Sequence, residues 1–422
     1  MRLRRHKSSR SSARDAALIP ERLILKNKWL PLAVTLAIQA LVSWALLTLP
    51  VMAPVVAQAL GVSPTYVGLY VAVVYVGAMF STLAAGTAVA HFGAIRVSQA
   101  GLLLCALGLA LCAVSSPPVI ALGALVIGLG YGPVTPASSH LLARTATPGN
   151  MSLVFSLKQT GVPLGGVLAG AVVPGLMLLT NWQAALLLVA LFCLLCAALA
   201  QPLRHALDAD RDPKHPLCLG NLAQPIHLVL SHRALSTLAI CSFFFSATQL
   251  SLVAYLVTYL YDSLSYGLVA AGFALSVSQV AGMGGRVFWG YVADRFLGAR
   301  RMLAVLGAVM ALCCVATALL HPAMPTLLVW GILALFGASA IGWNGVYLAE
   351  VARQAPKGQA GLATGGTLAF TFLGVVLGPP LFGALSGLFG SYRAGYAVLA
   401  LPTLACCVLL IRNKNSMSET SA

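Results

Sequence analysis

The chain has 422 residues, of which 59% are hydrophobic and only 8% are charged, and its mean hydropathy is +0.92. This composition excludes a soluble globular domain, and the length excludes a protein with one membrane anchor. Backbone groups in lipid have no water to bond, and the apolar runs are longer than the strands of a barrel. The sequence therefore predicts a polytopic bundle of transmembrane helices.

The formal net charge of +16 would suggest a nucleic-acid partner in a soluble protein, but the positions of the charges argue otherwise. All lysines and arginines except Lys158, Arg286 and Arg393 fall in segments that we assign to one side of the membrane. This asymmetry is the positive-inside pattern of a cytoplasmic face, so we expect contact with the lipid bilayer and no nucleic acid. The cysteines of the apolar runs are interpreted as small core residues, and we expect neither a metal site nor a cofactor.

Twelve apolar runs, here called spans 1 to 12, are each long enough for a tilted helix of about 20 residues. Spans 1 to 6 lie near 32–52, 66–89, 98–114, 118–142, 152–179 and 183–202, and spans 7 to 12 near 236–258, 267–292, 302–320, 326–349, 360–386 and 393–411. The predicted organisation is a disordered basic cytoplasmic tail at 1–29, helical bundles at 30–202 and 234–412, a cytoplasmic linker at 203–233 and a cytoplasmic tail at 413–422. An even number of spans in each half keeps the linker and both termini on one side.

One loop motif occurs twice, about half a chain apart. The segment 285–301 begins at the end of an apolar run and contains Gly285 and Gly290. Asp294 follows Gly290 by four residues, and arginines surround it in the sequence. A weaker copy at 86–96 keeps the glycines and a terminal arginine but has Ala90 in the place of the acid. The later copy carries one extra residue, Leu297. The chain is therefore predicted to consist of two related halves.

This spacing resembles the signature of the loops after helices two and eight in the major facilitator superfamily. The resemblance covers nearly all residues from Leu30 to Arg412 and includes glycine- and proline-rich stretches in spans 4, 5 and 11. It implies an all-α polytopic fold of twelve transmembrane helices in two six-helix pseudo-repeats, with spans 5 and 8 at the seam between the halves.

Two basic residues lie inside apolar runs without an obvious acidic partner. Lys158 and Arg286 are each roughly 9 Å from the cytoplasmic end of their span. Two cations at one seam repel each other unless an anion joins them, so one hypothesis is capture of an anionic substrate, with Arg286 as a bidentate fork. Arg286 also resembles the helix-eight arginine of monocarboxylate and oxalate/formate porters. In the other interpretation both side chains snorkel to the surface.

Eight uncharged polar or aromatic side chains, spread over spans 1, 2, 4, 5, 7, 8 and 10, are candidates for orienting a substrate. The preferred pair is Trp343 and Asn344, because a broken helix beside Gly345 would present both to a cavity. Each of these residues could instead form interhelical hydrogen bonds. The remaining candidates are Gln39, Tyr75, Tyr131, Gln159, Gln249 and Gln279.

A second group of residues is predicted to form a cytoplasmic gate rather than a substrate site. Glu350 and Arg353 share one face at the end of span 10, and the resemblance places them beside Asp294. Ala90 and Leu141 occupy the corresponding places in the first half, so we expect an asymmetric gate. Its predicted members are Gly86, Arg96, Arg144, Gly290, Asp294, Arg295, Glu350 and Arg353.

We expect a monomeric secondary active transporter in the cell (inner) membrane, moving a small organic anion, a carboxylate above all, by alternating access. The alternative is a proton-coupled efflux pump for lipophilic or cationic compounds, because the glycine–proline stretch of span 5 resembles that of drug/proton antiporters. Such pumps usually require an acid embedded in the membrane, and no carboxylate lies deep in a span here. There is no nucleotide-binding loop, zinc spacing or serine elbow, so we expect no enzyme activity.

Overall fold

The computed structural model describes residues 29–145, 154, 157–215, 223–356 and 360–412. Within these ranges the chain is helical and contains no β-strand. Twelve segments are long and apolar enough to cross a membrane. This result confirms the prediction of an all-α polytopic membrane protein with twelve spans.

The first half contains spans 1 to 6 in chain order. Span 1 is followed by a short helix, Ala53–Leu60, and by a 3-10 turn, Pro64–Tyr66. Span 4 is divided into two helices. The bounds are Leu30–Val51 for span 1, Val67–Phe92 for span 2, Ala94–Cys112 for span 3, Pro117–Tyr131 and Val134–Thr145 for span 4, Gly161–Leu179 for span 5 and Trp182–Leu199 for span 6.

The linker forms two short helices, Arg204–Leu207 and Ala223–Ser231, and the second half follows it. Span 10 is divided like span 4. The bounds are Arg233–Leu264 for span 7, Leu268–Val292 for span 8, Ala299–Ala318 for span 9, Thr326–Ala340 and Asn344–Gln354 for span 10, Ala360–Leu388 for span 11 and Tyr392–Arg412 for span 12. We call the end of the bundle that carries the linker the linker side, and the other end the opposite side.

The same pairs of helices pack closely through glycine in both halves. Gly128 of span 4 lies against the backbone of span 2 at Val74, and Gly337 of span 10 lies against the backbone of span 8 at Ser278. A Cβ atom at either glycine would overlap a carbonyl oxygen of the neighbouring span. Helices without a hydrophobic driving force between them associate through such small residues. The matching contacts agree with two pseudo-repeats.

Span 5 is a glycine-lined helix between the two halves. Gly161 and Gly165 face span 1, where a Cβ atom would meet Gln39 and Ala40. On the adjacent face of span 5, Gly166 and Gly170 pack against span 8 of the second half. Because glycine carries no side chain on either face, span 5 can fit between two neighbours at close distance.

The halves are closed together on the opposite side. The backbones of Gly170 and Gly272 touch there, as do those of Gly68 and Pro379. On the linker side, by contrast, a Cβ atom at Gly86 or Gly290 would have no described atom within 4 Å. Neither of these two glycines is therefore in close contact with a neighbouring helix among the described residues.

The extra residue in the later motif is absorbed by a π-helical turn. Span 8 continues into Ala293–Leu297, which has π geometry. The N–H of Gly298 donates to the carbonyl of Ala293 at 2.8 Å, a bond five residues back along the chain. A single inserted residue is a common origin of such a turn. The π-helical turn therefore accommodates Leu297, and Asp294 stays at the end of span 8.

Candidate substrate site at the seam

A small cavity lies at the centre of the bundle, between spans of both halves. It encloses about 30 Å³, room for little more than one water molecule. Four of the predicted polar candidates line it: Tyr75, Tyr131, Gln249 and Gln279. Apolar residues form most of the remaining wall, which also includes Ser43. In this conformation the centre is closed, and a substrate would need the halves to move apart.

Arg286 connects the two halves beside this cavity. Its Nε atom donates to the carbonyl of Ile341 in span 10 at 3.1 Å, and its Nη1 atom donates to the carbonyl of Gln159 at 3.0 Å. Ile341 lies in the break between the helices Thr326–Ala340 and Asn344–Gln354, where carbonyls lose their intrahelical partners. The guanidinium therefore satisfies backbone groups on both sides of the seam, and Gln159 contributes its carbonyl rather than its side chain.

Lys158 is buried close to Arg286. Only 1% of the residue is exposed, and its Nζ atom has no hydrogen-bond partner among the residues that the structure describes. Arg286 is close by, because its Nη1 atom binds the carbonyl of the next residue, Gln159. Lys158 therefore does not snorkel to the surface in this conformation. A buried ammonium without a partner is costly, so this arrangement favours an anion as the missing partner.

The break in span 10 brings two polar side chains onto Gln249, which lines the cavity. The Oε1 atom of Gln249 accepts from Trp343 Nε1 at 3.0 Å and from Asn344 Nδ2 at 3.5 Å. Trp343 is fully buried against the rings of Phe245 and Tyr347. The break at the predicted place is confirmed, but Trp343 and Asn344 are outside the cavity lining and position Gln249.

In the first half, Gln39 forms interhelical hydrogen bonds. Its Oε1 atom accepts from Thr135 Oγ1 at 2.9 Å, across from span 1 to span 4, and the residue is fully buried. The rings of Tyr75 and Tyr131 meet edge to face with centroids 6.0 Å apart. Gln39 thus has the structural role that was the alternative interpretation, while the two tyrosines face the cavity.

The residues that the sequence predicts to form the gate of the second half make a loose, partly exposed cluster on the linker side. Arg353 lies 3.4 Å from Asp294 and 3.9 Å from Glu350, and Asp294 has 76% of its side chain exposed. Glu350 is nearly buried and accepts from Gln354 Nε2 at 2.9 Å. Arg295 is exposed beside them. Exposed ion pairs of this kind contribute about 0–1 kcal/mol, so the cluster can rearrange easily.

In the first half the linker supplies the acids that the span 2 loop lacks. Asp210 forms an ion pair with Arg144 and lies 2.7 Å from His140 Nε2. Asp208 accepts from the backbone N–H groups of Ile95 at 2.7 Å and Arg96 at 3.1 Å, at the start of span 3. Both acids lie in the segment 203–233 that is predicted to be a linker, and nothing in their spacing indicates a partner more than 60 residues away.

The environments of these two carboxyl groups shift their pKa values in opposite directions. Burial raises the pKa of Asp208, and the N–H groups of Ile95 and Arg96 offset only part of that effect. Burial also opposes ionisation of Asp210, but hydrogen bonds from Arg144 and His140 outweigh it and lower the pKa of that carboxyl. Asp210 is therefore the more firmly ionised of the pair.

A contact on the opposite side was also missed by sequence reasoning. The hydroxyl of Tyr255 in span 7 lies 2.6 Å from the carbonyl of Thr65 in the first half and 3.0 Å from that of Pro379 in span 11. Gly68 and Gly383 leave the space that the hydroxyl occupies. Tyr255 is one of many aromatic residues in an apolar run, so the sequence alone gives no reason to single it out.

A larger cavity of about 240 Å³ opens between spans 1, 2 and 4 near the helix Ala53–Leu60. Its lining is almost entirely apolar and contains no charged residue. It is also remote from Lys158 and Arg286, which lie towards the linker side. The charged and polar side chains of the described spans are therefore concentrated at the central seam rather than at this apolar cavity.

The described spans, the two broken helices and the charged seam define a multi-pass membrane transporter. Residues 32–366 match the family model described as Major Facilitator Superfamily. The chain belongs to this superfamily.

Relatives and solved structures agree with this assignment. Monocarboxylate transporter 11 of Mus musculus is 30% identical over 331 residues, which are 73% of this chain and 70% of that protein. The benzoate transport protein of Acinetobacter baylyi is 23% identical over 385 residues, 83% of this chain and 82% of that protein. The nucleoside transporter NupG superposes with a TM-score of 0.75 at 15% identity, over 90% of this chain and 99% of that one.

Proposed function

We propose that this transporter carries a small organic anion, with a carboxylate as its charged group, by secondary active transport with alternating access. The observation that supports this proposal most strongly is the buried Nζ atom of Lys158, which lies near Arg286 and has no hydrogen-bond partner within the described part of the chain. One anion between them would remove their mutual repulsion and supply the hydrogen-bond acceptor that Lys158 lacks. Ionisable residues inside membrane spans generally mark such transport pathways.

The donor geometry favours a carboxylate as the anionic group. Arg286 uses Nε and Nη1 to hold two backbone carbonyls, which are weaker acceptors than a carboxylate. A bound carboxylate can accept hydrogen bonds from both of these Arg286 atoms in a bidentate pair, and from Nζ of Lys158 as a third donor. The carbonyls of Gln159 and Ile341 would then be released, and the seam on the linker side would be free to rearrange.

The cavity wall favours an apolar body attached to that carboxylate. Most lining side chains are aliphatic or aromatic, and the described lining contains no acid. Gln249 and Gln279 are the amides available to orient a substrate. The names of two relatives, a monocarboxylate transporter and a benzoate transport protein, point to the same class of compound.

Transport by rocking of the two halves is supported by the unequal packing of the two sides. Glycine contacts close the opposite side, whereas Gly86 and Gly290 face open space on the linker side. A bound anion that releases Arg286 would allow the halves to pivot around the central site. We further propose a monomer in the cell inner membrane with both termini and the linker in the cytoplasm, as the positive-inside pattern indicates.

The alternative function, proton-coupled efflux of lipophilic or cationic compounds, is supported by the apolar wall and by the glycine–proline stretch of span 5. A cationic substrate, however, would be repelled by Lys158 and Arg286. The described cavity lining also offers no carboxylate to carry a proton. The organic anion is therefore the better-supported substrate.

Uptake into proteoliposomes tests the proposal with a panel of labelled monocarboxylates, inorganic anions and one lipophilic cation. Wild type is compared with two variants. Arg286→Lys keeps the charge but loses the bidentate guanidinium, and Lys158→Met keeps the apolar stem but loses the ammonium group. We expect uptake of at least one carboxylate, and a loss of about tenfold or more in each variant, the scale of a charge-assisted hydrogen bond.

Arg300→Gln is the matched control. Arg300 is also an arginine whose Nε atom donates to a backbone carbonyl, that of Leu410 at 3.0 Å, but it lies away from the seam. This variant removes a linker-side charge without touching the seam, so its KM for the carboxylate should stay that of wild type. Transport of the cation, or carboxylate transport that survives both seam substitutions, would reject anion binding by this pair and favour efflux.

A further inference from the structure

The linker binds the end of the first half at several points. Besides the contacts of Asp208 and Asp210, the N–H of Asp212 donates to the carbonyl of Ala90 at 2.8 Å. The Nη2 atom of Arg144 donates to the carbonyl of Leu207 at 3.2 Å. These bonds join the linker to the linker-side ends of spans 2, 3 and 4. The linker residues 207–212 are therefore packed onto the first half and do more than connect the two halves.

The backbone of the span 2 loop is shaped for Asp208. Gly93 has a φ of +101°, and a Cβ atom there would overlap the carboxyl group of Asp208. The corresponding glycine in the second half, Gly298, has a φ of +76° but open space around it. The loop conformation is therefore shared by both halves, whereas the docked carboxylate is a feature of the first half among the residues described.

We propose that Asp208 and Asp210 are the gating carboxylates of the first half, delivered by the linker in place of the acids that Ala90 and Leu141 cannot supply. Asp208 neutralises the positive N-terminal end of span 3 next to Arg96, and Asp210 neutralises Arg144. This inference rests on the alternating-access part of the proposed function.

The charges on the two halves explain why the linker acids matter for gating. Among the described residues, the linker-side end of the second half carries six arginines but two acids, Asp294 and Glu350. The arginines are Arg233, Arg295, Arg300, Arg301, Arg353 and Arg412. Closing this side brings those arginines towards Arg96 and Arg144 of the first half. Like charges at short range oppose closure, and the docked carboxylates reduce that repulsion. Loss of Asp210 is therefore expected to favour the conformation that is open on the linker side.

The test measures the distance between the halves directly. Spin labels are placed at Leu199, at the end of span 6, and Phe296, at the end of span 8; both side chains are strongly exposed. The native cysteines are replaced by alanine, and distances are recorded in lipid nanodiscs. In Asp210→Asn we expect the ratio of short to long distances to fall by about two- to fivefold, the scale of a partly exposed ion pair. The change is expected to shrink at high salt.

Two further variants separate gating from simple stability. Asp212→Asn removes the same charge from the same segment. Among the residues that the structure describes, the Asp212 carboxylate accepts from the N–H of Lys214 in its own turn and makes no bond to a span, so the distances should not change. Adding Arg144→Gln to Asp210→Asn removes the unneutralised arginine and should restore the wild-type ratio. Equal effects of Asp210→Asn and Asp212→Asn, or no recovery in the double variant, would overturn the inference.

These outcomes are distinct from a failure of the proposed function. The distance measurement uses no substrate, so it remains informative if no carboxylate is transported. A single distance population that no variant and no salt concentration changes would instead argue against alternating access itself.

Discussion

Replacing Tyr255 by phenylalanine should loosen the closure on the opposite side. The substitution removes one hydroxyl and keeps the ring, which packs against Phe382 with centroids 4.7 Å apart. The hydroxyl lies 2.6 Å from the carbonyl of Thr65 and 3.0 Å from that of Pro379. Since a hydroxyl has one hydrogen, it donates to one carbonyl at a time, and the contact to Thr65 is the one that crosses between the halves.

The size of the effect follows from this geometry. A hydrogen bond between neutral groups contributes about 0.5–1.5 kcal/mol, and leaving a buried carbonyl unpaired adds to the loss. Opening of the opposite side exposes the Thr65 carbonyl to water, so the penalty applies only to the closed state. We therefore expect Tyr255→Phe to destabilise the closed state by about 1–2 kcal/mol, which shifts the equilibrium by about five- to thirtyfold towards opening.

Spin labels at Leu179 and Leu319, both strongly exposed at the opposite side, measure this equilibrium as a distance distribution. Tyr259→Phe is the matched control, because the Tyr259 hydroxyl donates to the carbonyl of Thr317 at 2.7 Å within the second half. That variant should lose overall stability without a change in the distance. If both variants shift the distribution equally, or neither does, Tyr255 does not hold the two halves together.

Two other substitutions test the seam and the linker. Lys158→Met should stabilise the substrate-free protein by about 2–3 kcal/mol, the cost of a lysine within a span, and should raise its melting temperature in nanodiscs; a lower melting temperature would show that Lys158 has a partner. Gly93→Ala should make the linker more sensitive to limited proteolysis, because alanine at positive φ costs about 1–2 kcal/mol and its Cβ atom overlaps Asp208. Gly298→Ala shares the positive φ but has open space, so equal proteolysis of both variants would exclude the Asp208 contact as the cause.

The class of fold was readable from the sequence because the membrane leaves few choices. A long apolar run in lipid must satisfy its backbone bonds internally, so run length alone predicts the helices. The break in span 10 and the division of span 4 at Gly132 and Pro133 were also predictable, since proline lacks a backbone donor and glycine weakens a helix. The position of Leu297 as an extra residue was visible, but its accommodation in a π-helical turn required the structure.

The sequence by itself predicted the twelve spans, a relation between two halves, and two basic residues inside spans without an obvious acidic partner. Only the tertiary structure decided that Arg286 binds carbonyls of both halves, that Trp343 positions Gln249, and that the linker supplies the acids missing from the first half. The physical reason is the range of the interactions. Hydrophobic length and backbone propensity act within one segment, whereas a hydrogen bond or ion pair joins residues that the sequence separates by tens of positions, and their meeting depends on how the helices pack.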